Sequence, residues 1–408
     1  MAERTAETQN RADSSKRRML LMMVTGSIII FFTGFIHVWS IYVPYIMNLT
    51  NWQQNQITLA FYLANCFFVV GNIIGGKLNS TIGAKKTVAI GGAIFTAGII
   101  LSGIFLGTSL WLLYLTYGAI MSIGSGFVYT VILDTAQKWF PERTGFASGV
   151  IVTSNGLCAF VMAPVSRALL AAAGPQKALI VTGFLVGAAW LLSTIFFSVP
   201  LKTADSDAQI KTAAVSAQRQ YTPSEMLRTG KYYLLVLGFF FALMPYYLIS
   251  PVSQTFQTDH GISASVAVLS VMLGSLVNAG FRFVLPSLAD KIGRFTCVFG
   301  ILIVSVVSML SLAFGRGYLI TAGVVLAYGC FGGIMGNFPS LTSLVFGLEN
   351  AGLNYSFVMI GMIISALSAP VITGLLNGIG IAGGSLYFFG AASAVIALVF
   401  LSAVKAKA

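Results

Sequence analysis

The chain has 408 residues, 57% of them hydrophobic and only 8% charged, with a formal net charge of +12. A soluble domain carries about 25% charged residues, so this composition excludes a water-soluble globular protein and leaves a lipid bilayer as the fitting solvent. The excess Lys and Arg sit in alternate loops, as the positive-inside bias of cytosolic loops requires, and this excludes a nucleic-acid partner.

In chain order, residues 1–18 are polar and end on Arg17 and Arg18, and read as a short disordered cytosolic tail. The apolar stretch behind them is too long for a cleavable signal peptide. Apolar runs then recur at 19–47, 56–79, 86–107, 110–138, 144–172 and 177–199. After a polar segment they resume at 231–256, 263–288, 294–314, 317–346, 351–377 and 381–403. About 20 residues at 1.5 Å each cross ~30 Å of hydrocarbon. In lipid each run must satisfy its own backbone, so each is a helix. The predicted fold is an all-α membrane protein with twelve transmembrane helices and both termini on one side. Its parts are the tail 1–18, a six-helix bundle at 19–199, a cytosolic linker at 200–230 and a second bundle at 231–404.

The two halves echo each other. Gly76-Lys-Leu-Asn-Ser80-Thr-Ile-Gly83-Ala-Lys85-Lys86 follows helix 2, and Pro286-Ser-Leu-Ala-Asp290-Lys291-Ile-Gly293-Arg294 follows helix 8. Phe140 to Gly145 and Phe346 to Gly352 form a weaker pair at a similar offset, which points to duplication with parallel halves. The four cysteines lie within apolar runs or at their edges without CxxC spacing, so neither a metal site nor a disulfide is read. No Walker loop, HExxH or GxSxG occurs, so an ATP-driven pump or a hydrolase has no support and no cofactor is expected.

Arg282 is the most informative residue. It sits in the apolar run 263–288, where a cation must face a cavity or a partner. Its planar fork matches a carboxylate in bidentate geometry, and Asn278 lies one helical turn away on the same face. The competing reading is an arginine that snorkels to the cytosol. His37, inside helix 1, can donate to a substrate oxygen, titrate near neutral pH, or be hydrogen-bonded within the bundle. Asp134, close to Lys138 and Arg143, reads as part of a charge pair that stabilises the inward gate, with proton carriage as the alternative.

The segment Leu288-Ala-Asp290-Lys291-Ile-Gly293-Arg294 resembles the loop signature of the major facilitator superfamily, which occurs after helices 2 and 8. Both copies are present, with Gly83 and Gly293 in equivalent positions, and Ser80 stands where the first copy usually has an acid. The resemblance covers essentially the whole chain. It implies two pseudo-symmetric six-helix bundles and alternating access, and a gate role for Asp290 and Arg294. A narrower resemblance is to the oxalate/formate exchangers and monocarboxylate transporters. It is carried by Trp139-Phe-Pro-Glu-Arg143-Thr-Gly145-Phe-Ala-Ser-Gly149, by Asn278-Ala-Gly-Phe-Arg282 and by Asn354-Tyr355. In that family the helix 8 arginine binds the substrate carboxylate. Helices 1, 4, 7 and 10 line the cavity with help from 5, 8 and 11, and Tyr129, Asn155, Phe331 and Tyr355 fall at lining positions. The oxalate-exchanging branch has a second cation on helix 11, where this chain has Met362. The monocarboxylate branch usually pairs an acid with the helix 8 arginine, and here that position is Asn278.

The implied protein is a monomeric secondary transporter of the cell (inner) membrane, not an enzyme. It would move a small monocarboxylate such as lactate, pyruvate or formate, coupled to protons. Oxalate/formate-type exchange is the alternative, and a non-transporting membrane sensor on the same scaffold is the rival of another class. The charge bias makes a topological prediction: a cysteine introduced at Ala213, in the linker, resists an impermeant thiol reagent added to intact cells, and labelling there would invert the proposed orientation.

Overall fold

The computed structural model describes residues 2–140, 144–197, 219–347, 350–380, 384 and 386–407, and among these no strand occurs. Eleven continuous stretches of the described residues are long and apolar enough to cross a bilayer. In chain order they supply α1 (Arg17–Thr50), α2 (Gln54–Ile82), α3 (Ala84–Phe105), α4 (Leu110–Trp139), α5 and α6 (within Phe146–Phe196), α7 (Gly230–Asp259), α8 (Ala264–Ile292), α9 (Arg294–Phe314), α10 (Tyr318–Phe346), α11 (Ala351–Leu376) and α12 (Leu386–Ala406). The longest stretch is two spans. Gly174 adopts φ 73°, ψ 172°, which side chains other than glycine rarely take, and Pro175 follows with no N–H to continue the ladder. The twelve expected helices are thus all present.

Local chemistry marks their ends. Gln53 and Gln56 cap α2 reciprocally, and the Ser263 hydroxyl accepts from the Val266 N–H at the start of α8. α2 and α3 meet at Gly83 (φ 85°) and α8 and α9 at Gly293 (φ 92°), so the repeated Ile-Gly step makes the same tight turn in both halves. α2 and α8 run on through the repeated motif to these glycines, past the expected ends at 79 and 288. At the N-terminus helix begins already at Ala2, where a disordered tail was expected. The Ala, Glu, Arg and Lys residues there are good helix formers, so α1 propagates beyond its apolar part.

Large apolar side chains in mid-helix point outward, including Leu192 at 58% and Val399 at 65% exposure. That pattern suits contact with acyl chains. Large aromatic side chains fill much of the interior, and glycines such as Gly71 and Gly126 let backbones approach at particular seams. The linker portion 200–218 lies outside the described residues. Its end folds onto the second bundle: the Tyr221 N–H donates to the Phe346 carbonyl (3.0 Å), and the side-chain amides of Asn350 and Asn354 donate to the Tyr221 carbonyl (3.2 and 3.1 Å). The short helix Pro223–Leu227 follows, where the Thr222 backbone N–H donates to Glu225 and holds its carboxyl below the usual range.

A tight backbone seam of the first bundle gives a stability prediction. A Cβ at Gly126 on α4 would lie 2.3 Å from the Phe68 carbonyl oxygen and 2.7 Å from the Asn72 nitrogen of α2, whereas one at Gly280 on α8 meets nothing within 4 Å. Gly126→Ala should therefore destabilise by about 1–3 kcal/mol, the usual cost of overpacking, with Gly280→Ala near neutral. Melting curves of the two purified variants decide, and equal midpoints would show that the seam yields.

Candidate functional site

The helices are least regular near the centre of the molecule. α1 tightens into a 3-10 turn at Gly34–Val38, and α4 widens into a π turn at Tyr114–Met121. α7 passes into a 3-10 turn at Ser250–Val252. Such departures from the regular ladder re-aim side chains and often mark functional positions. Two of them face a central cavity of about 30 Å³. This is room for about two waters at ~10–15 Å³ each. Thr33, Ile36 and His37 of α1, Asn65 and Phe68 of α2, and Met121, Ser122, Ser125 and Tyr129 of α4 line it from the first bundle, with Phe95 and Asn155. Arg282 of α8, Phe331 and Met335 of α10 and Met362 of α11 line it from the second.

Arg282 is 1% exposed. One guanidinium nitrogen donates to Asn155 Oδ1 at 2.8 Å and to the Val152 carbonyl at 3.4 Å, while Nε has no partner among the described residues. The guanidinium carbon lies 5.6 Å from the Phe331 ring centroid. No described acidic side chain pairs with it; the ion pairs among described residues are Lys138–Asp134, Arg219–Glu225 and Arg294–Asp290. Asn155 is itself held: its Nδ2 donates to Thr33 Oγ1 at 2.9 Å. A chain of hydrogen bonds through neutral side chains thus runs from α1 through α5 to the cation on α8. Snorkelling is ruled out, because the guanidinium is buried inside the bundle rather than at its surface.

His37 Nδ1 is hydrogen-bonded to the Tyr246 hydroxyl at 2.9 Å, across the two bundles. Tyr246 stacks on Phe331 at 3.9 Å between centroids, and Phe331 meets His37 edge to face at 5.8 Å. Five expected residues, His37, Tyr129, Asn155, Arg282 and Phe331, therefore converge on one cavity. Tyr355 lines a separate, smaller chamber beyond Tyr129. Asn278 does not line the cavity: its Nδ2 donates to the Tyr328 carbonyl of α10 at 3.0 Å. The neighbours separate the two despite their shared face: Asn278 is taken up by α10, while Arg282 is held by Val152 and Asn155 of α5. Sequence reasoning missed Tyr246 and Asn65. The run Pro245-Tyr246-Tyr247 in an otherwise apolar span was the available signal.

Cross-bundle contacts occur on both sides of the cavity. On one side the Tyr247 hydroxyl donates to Asn65 Oδ1 (3.0 Å), and Gln54 Nε2 donates to Thr255 Oγ1 (3.0 Å). On the other, the face with the repeated motif, Asp134 accepts from Lys138 Nζ (2.5 Å) and Asn79 Nδ2 (3.0 Å). A methyl group at Gly352, in the first turn of α11, would lie 3.8 Å from Asp134 Oδ1. The carboxylate thus faces a helix N-terminus of the opposite bundle, a favourable charge–dipole arrangement. Ser80, at the position where an acid is usual, is exposed and donates only to the Lys77 carbonyl. In the second copy Arg294 lies 3.5 Å from Asp290 and donates to the Ser340 carbonyl at 2.7 Å. Arg143 lies outside the described residues.

The family model "Major Facilitator Superfamily" matches residues 23–353. The chain belongs to the Major Facilitator Superfamily. This transporter family fits the multi-pass helical fold already described. An uncharacterized MFS-type transporter of Escherichia coli (strain K12), YhjX, is 27% identical over 358 residues, 87% of each chain. The oxalate:formate antiporter of Oxalobacter formigenes is 27% identical over 80% of this chain and 77% of its own length. Monocarboxylate transporter 11 of Homo sapiens is 27% identical over 74% and 65%. Among solved structures, the E.coli fucose:proton symporter FucP in a variant form superposes with a TM-score of 0.68 at 16% identity, covering 95% of this chain and 98% of that one, and so supports the fold alone.

The Arg282–Asn155 bond gives a prediction for this major facilitator protein. Asn155→Asp sets a carboxylate against a cation that is already buried, and Asn155→Ala removes its side-chain acceptor. Charged hydrogen bonds contribute about 1.5–3 kcal/mol, and an orphaned buried group costs about as much. The Asp variant should melt above the wild type and the Ala variant below it. An Asp variant that melts as low as the Ala variant would mean that Arg282 has a counter-ion already.

Proposed function

We propose that the chain is a secondary transporter of a small organic anion with a single carboxylate, anchored by Arg282 and moved by alternating access. The observation that carries this reading is the buried guanidinium itself: it lines a central cavity and has only neutral partners among the described residues. A charge at that depth needs a partner or water, and the substrate anion is the partner that can come and go. The cavity size favours few heavy atoms. Ile36, Phe331, Met335 and Met362 give it an apolar wall suited to a short alkyl tail. The second charge of a dicarboxylate such as oxalate would meet no second arginine or lysine among the lining residues, and an uncompensated buried charge is costly. Similarity to an oxalate:formate antiporter and a monocarboxylate transporter agrees with a carboxylate substrate. In this reading His37, Asn155 and Phe331 complete the site, and Asn278 orders α8 against α10. The motif-bearing face is cytosolic, and 200–230 links the two bundles there.

Transport of a lone anion carries about 2.3 kcal/mol per 100 mV. Proton symport removes that term, and His37, which lines the same cavity as Arg282 and bonds across the bundles, is the candidate proton carrier. Anion exchange is the second reading. It is favoured by the same unpaired cation, because an empty carrier that closes must bury Arg282 without a counter-ion.

The test is binding and flux with formate, lactate, pyruvate and oxalate. Removing one partner of a bidentate charge pair costs about 2–5 kcal/mol, roughly 30-fold or more in affinity. Arg282→Ala should lose monocarboxylate binding by calorimetry while keeping its melting transition, and Lys should restore it only in part. Unchanged affinity in a folded Arg282→Ala protein, or oxalate binding above every monocarboxylate, overturns the proposal. In proteoliposomes, uptake driven by an imposed pH gradient supports symport; uptake that ignores it and needs a carboxylate inside supports exchange.

A further inference from the structure

One charged side chain sits on the outside of the bundle where the fold gives it nothing to bind. α5 runs from Thr144 to the kink at Gly174, about 45 Å at 1.5 Å per residue, which matches the ~40–45 Å of a bilayer with its headgroups. Arg167 stops short of that kink, so its Cα lies roughly 10 Å below the end of the helix, at the edge of the ~30 Å hydrocarbon core. This is the end of the molecule away from the repeated motif. The side chain is exposed and has no hydrogen bond, ion pair or ring contact among the described residues. Asp259, where α7 ends on the same side, forms no ion pair with it either. Apolar side chains surround the cation: Phe160 is 37% exposed, Val161 46% and Val165 37%.

The place has a shape as well as a charge. Toward the motif-bearing face α5 and α8 are in close contact. A methyl group at Gly149 would lie 3.7 Å from the Arg282 carbonyl oxygen, and one at Gly156 3.0 Å from the Ala279 Cα. Between them Thr153 donates to the Ala279 carbonyl at 3.4 Å. Steps of three and four residues carry the same row of α5 on through Phe160 and Pro164 to Arg167. All three are exposed, so α8 no longer covers the row. On α8, Ala279 is buried, Met272 and Val268 nearer its other end are half-buried, and Ala264 is exposed. An apolar seam between helices of different bundles thus opens to the bilayer, with a cation at its outer end.

We propose that this seam binds an anionic phospholipid, its phosphate on Arg167 and an acyl chain along the uncovered row of α5 beside α8. A guanidinium at that depth needs a partner or water. Its long stem lies along apolar surface while the head reaches back toward the headgroups. The anion that the membrane holds at that level is phosphate, and the planar fork of arginine matches two of its oxygens in charge-assisted bonds. In a zwitterionic lipid the headgroup ammonium competes with the arginine for that phosphate. A lipid with one net negative charge leaves it free. The occupant is therefore a lipid of the phosphatidylglycerol type. It bridges α5 and α8 on the side of the seam that their own side chains leave open, a few turns from the Asn155–Arg282 bond.

The test is local quenching by brominated lipids in reconstituted membranes. Phe160→Trp places a reporter on the seam, and Leu192→Trp places one on α6, away from it, where Leu192 is 58% exposed. The added emission of each, above that of the parent, is followed in brominated phosphatidylglycerol and in brominated phosphatidylcholine. At the seam, phosphatidylglycerol should be preferred about fivefold, the scale of one basic residue near a lipid surface. Leu192→Trp should show no preference. Adding Arg167→Gln should abolish the preference at the seam, and Arg167→Lys should keep most of it, since a snorkelling ammonium still reaches the phosphate. Glycerophosphoglycerol, the same headgroup without chains, should leave the quenching unchanged. Equal quenching by the two lipids at the seam overturns the proposal, as does a preference that survives Arg167→Gln. The same preference at Leu192→Trp would make it a property of the whole basic chain and also overturn it. Relief by the chain-free headgroup overturns a lipid as the occupant. The comparison of the two reporters decides even where Arg167→Gln fails to fold.

Discussion

A guanidinium sits near the middle of a bundle whose outer surface is apolar, and much of the central architecture is arranged around it. Arg282 has two neutral acceptors, both on one guanidinium nitrogen, and its Nε–H has no partner among the described residues. In a low-dielectric interior such a charge acts over long distances, because little screens it. Asn155 is fixed by Thr33 to meet it, and the Phe331 face lies beside it. Phe331 in turn carries Tyr246, and Tyr246 holds His37. The cation is thus tied to α1, α5, α7 and α10, and both bundles share in holding it.

That arrangement makes the charge state of the centre a matter for the whole fold. The bundles meet on both sides of the cavity through a few polar contacts: Asn65 with Tyr247 and Gln54 with Thr255 on one side, Asp134 against the first turn of α11 on the other. Apolar packing joins the bundles as well: residues of both, Phe61 and Tyr247 among them, share one buried core, and a methyl group at Gly156 of α5 would lie 3.0 Å from the Ala279 Cα of α8. A closed form with an uncompensated cation and a closed form with a bound anion differ in free energy chiefly at the centre. The seams need only be balanced against that difference for opening and closing to follow occupancy. On the proposed function, this is how one buried residue couples binding to movement.

The motif-bearing face carries a rearrangement of charge. The position where the repeated loop usually has an acid is Ser80, which is exposed and bonds only to its own helix. Asp134, on the neighbouring α4, supplies a carboxylate at the start of α11 and is reached by Asn79 from the same loop. The second copy keeps its acid, Asp290, in a local pair with Arg294. The halves share the same turn at Gly83 and Gly293, while the side chains around it differ.

The sequence alone determined what depends on composition and period. Long apolar runs in a poorly charged chain must be membrane helices, because nothing else satisfies a backbone in lipid. The count of twelve, the halves and the family followed from spacing and from the repeated loop. Arg282 stood out for the same reason: a charge in such a run is too costly to be incidental. What the sequence could not decide was direction. Asn278 and Arg282 share a helix face, yet one turns to Tyr328 and the other to the cavity, since the neighbours on α5 and α10 settle where each points. The run Pro245-Tyr246-Tyr247 marked the place on α7, but which tyrosine meets His37 was settled only by the packing of α1 and α10 against Tyr246. Tyr129 lines both the central cavity and the smaller space that Tyr355 lines, and the helices that meet there are far apart in the chain. Convergence of that kind is written in tertiary packing, which a one-dimensional pattern does not contain.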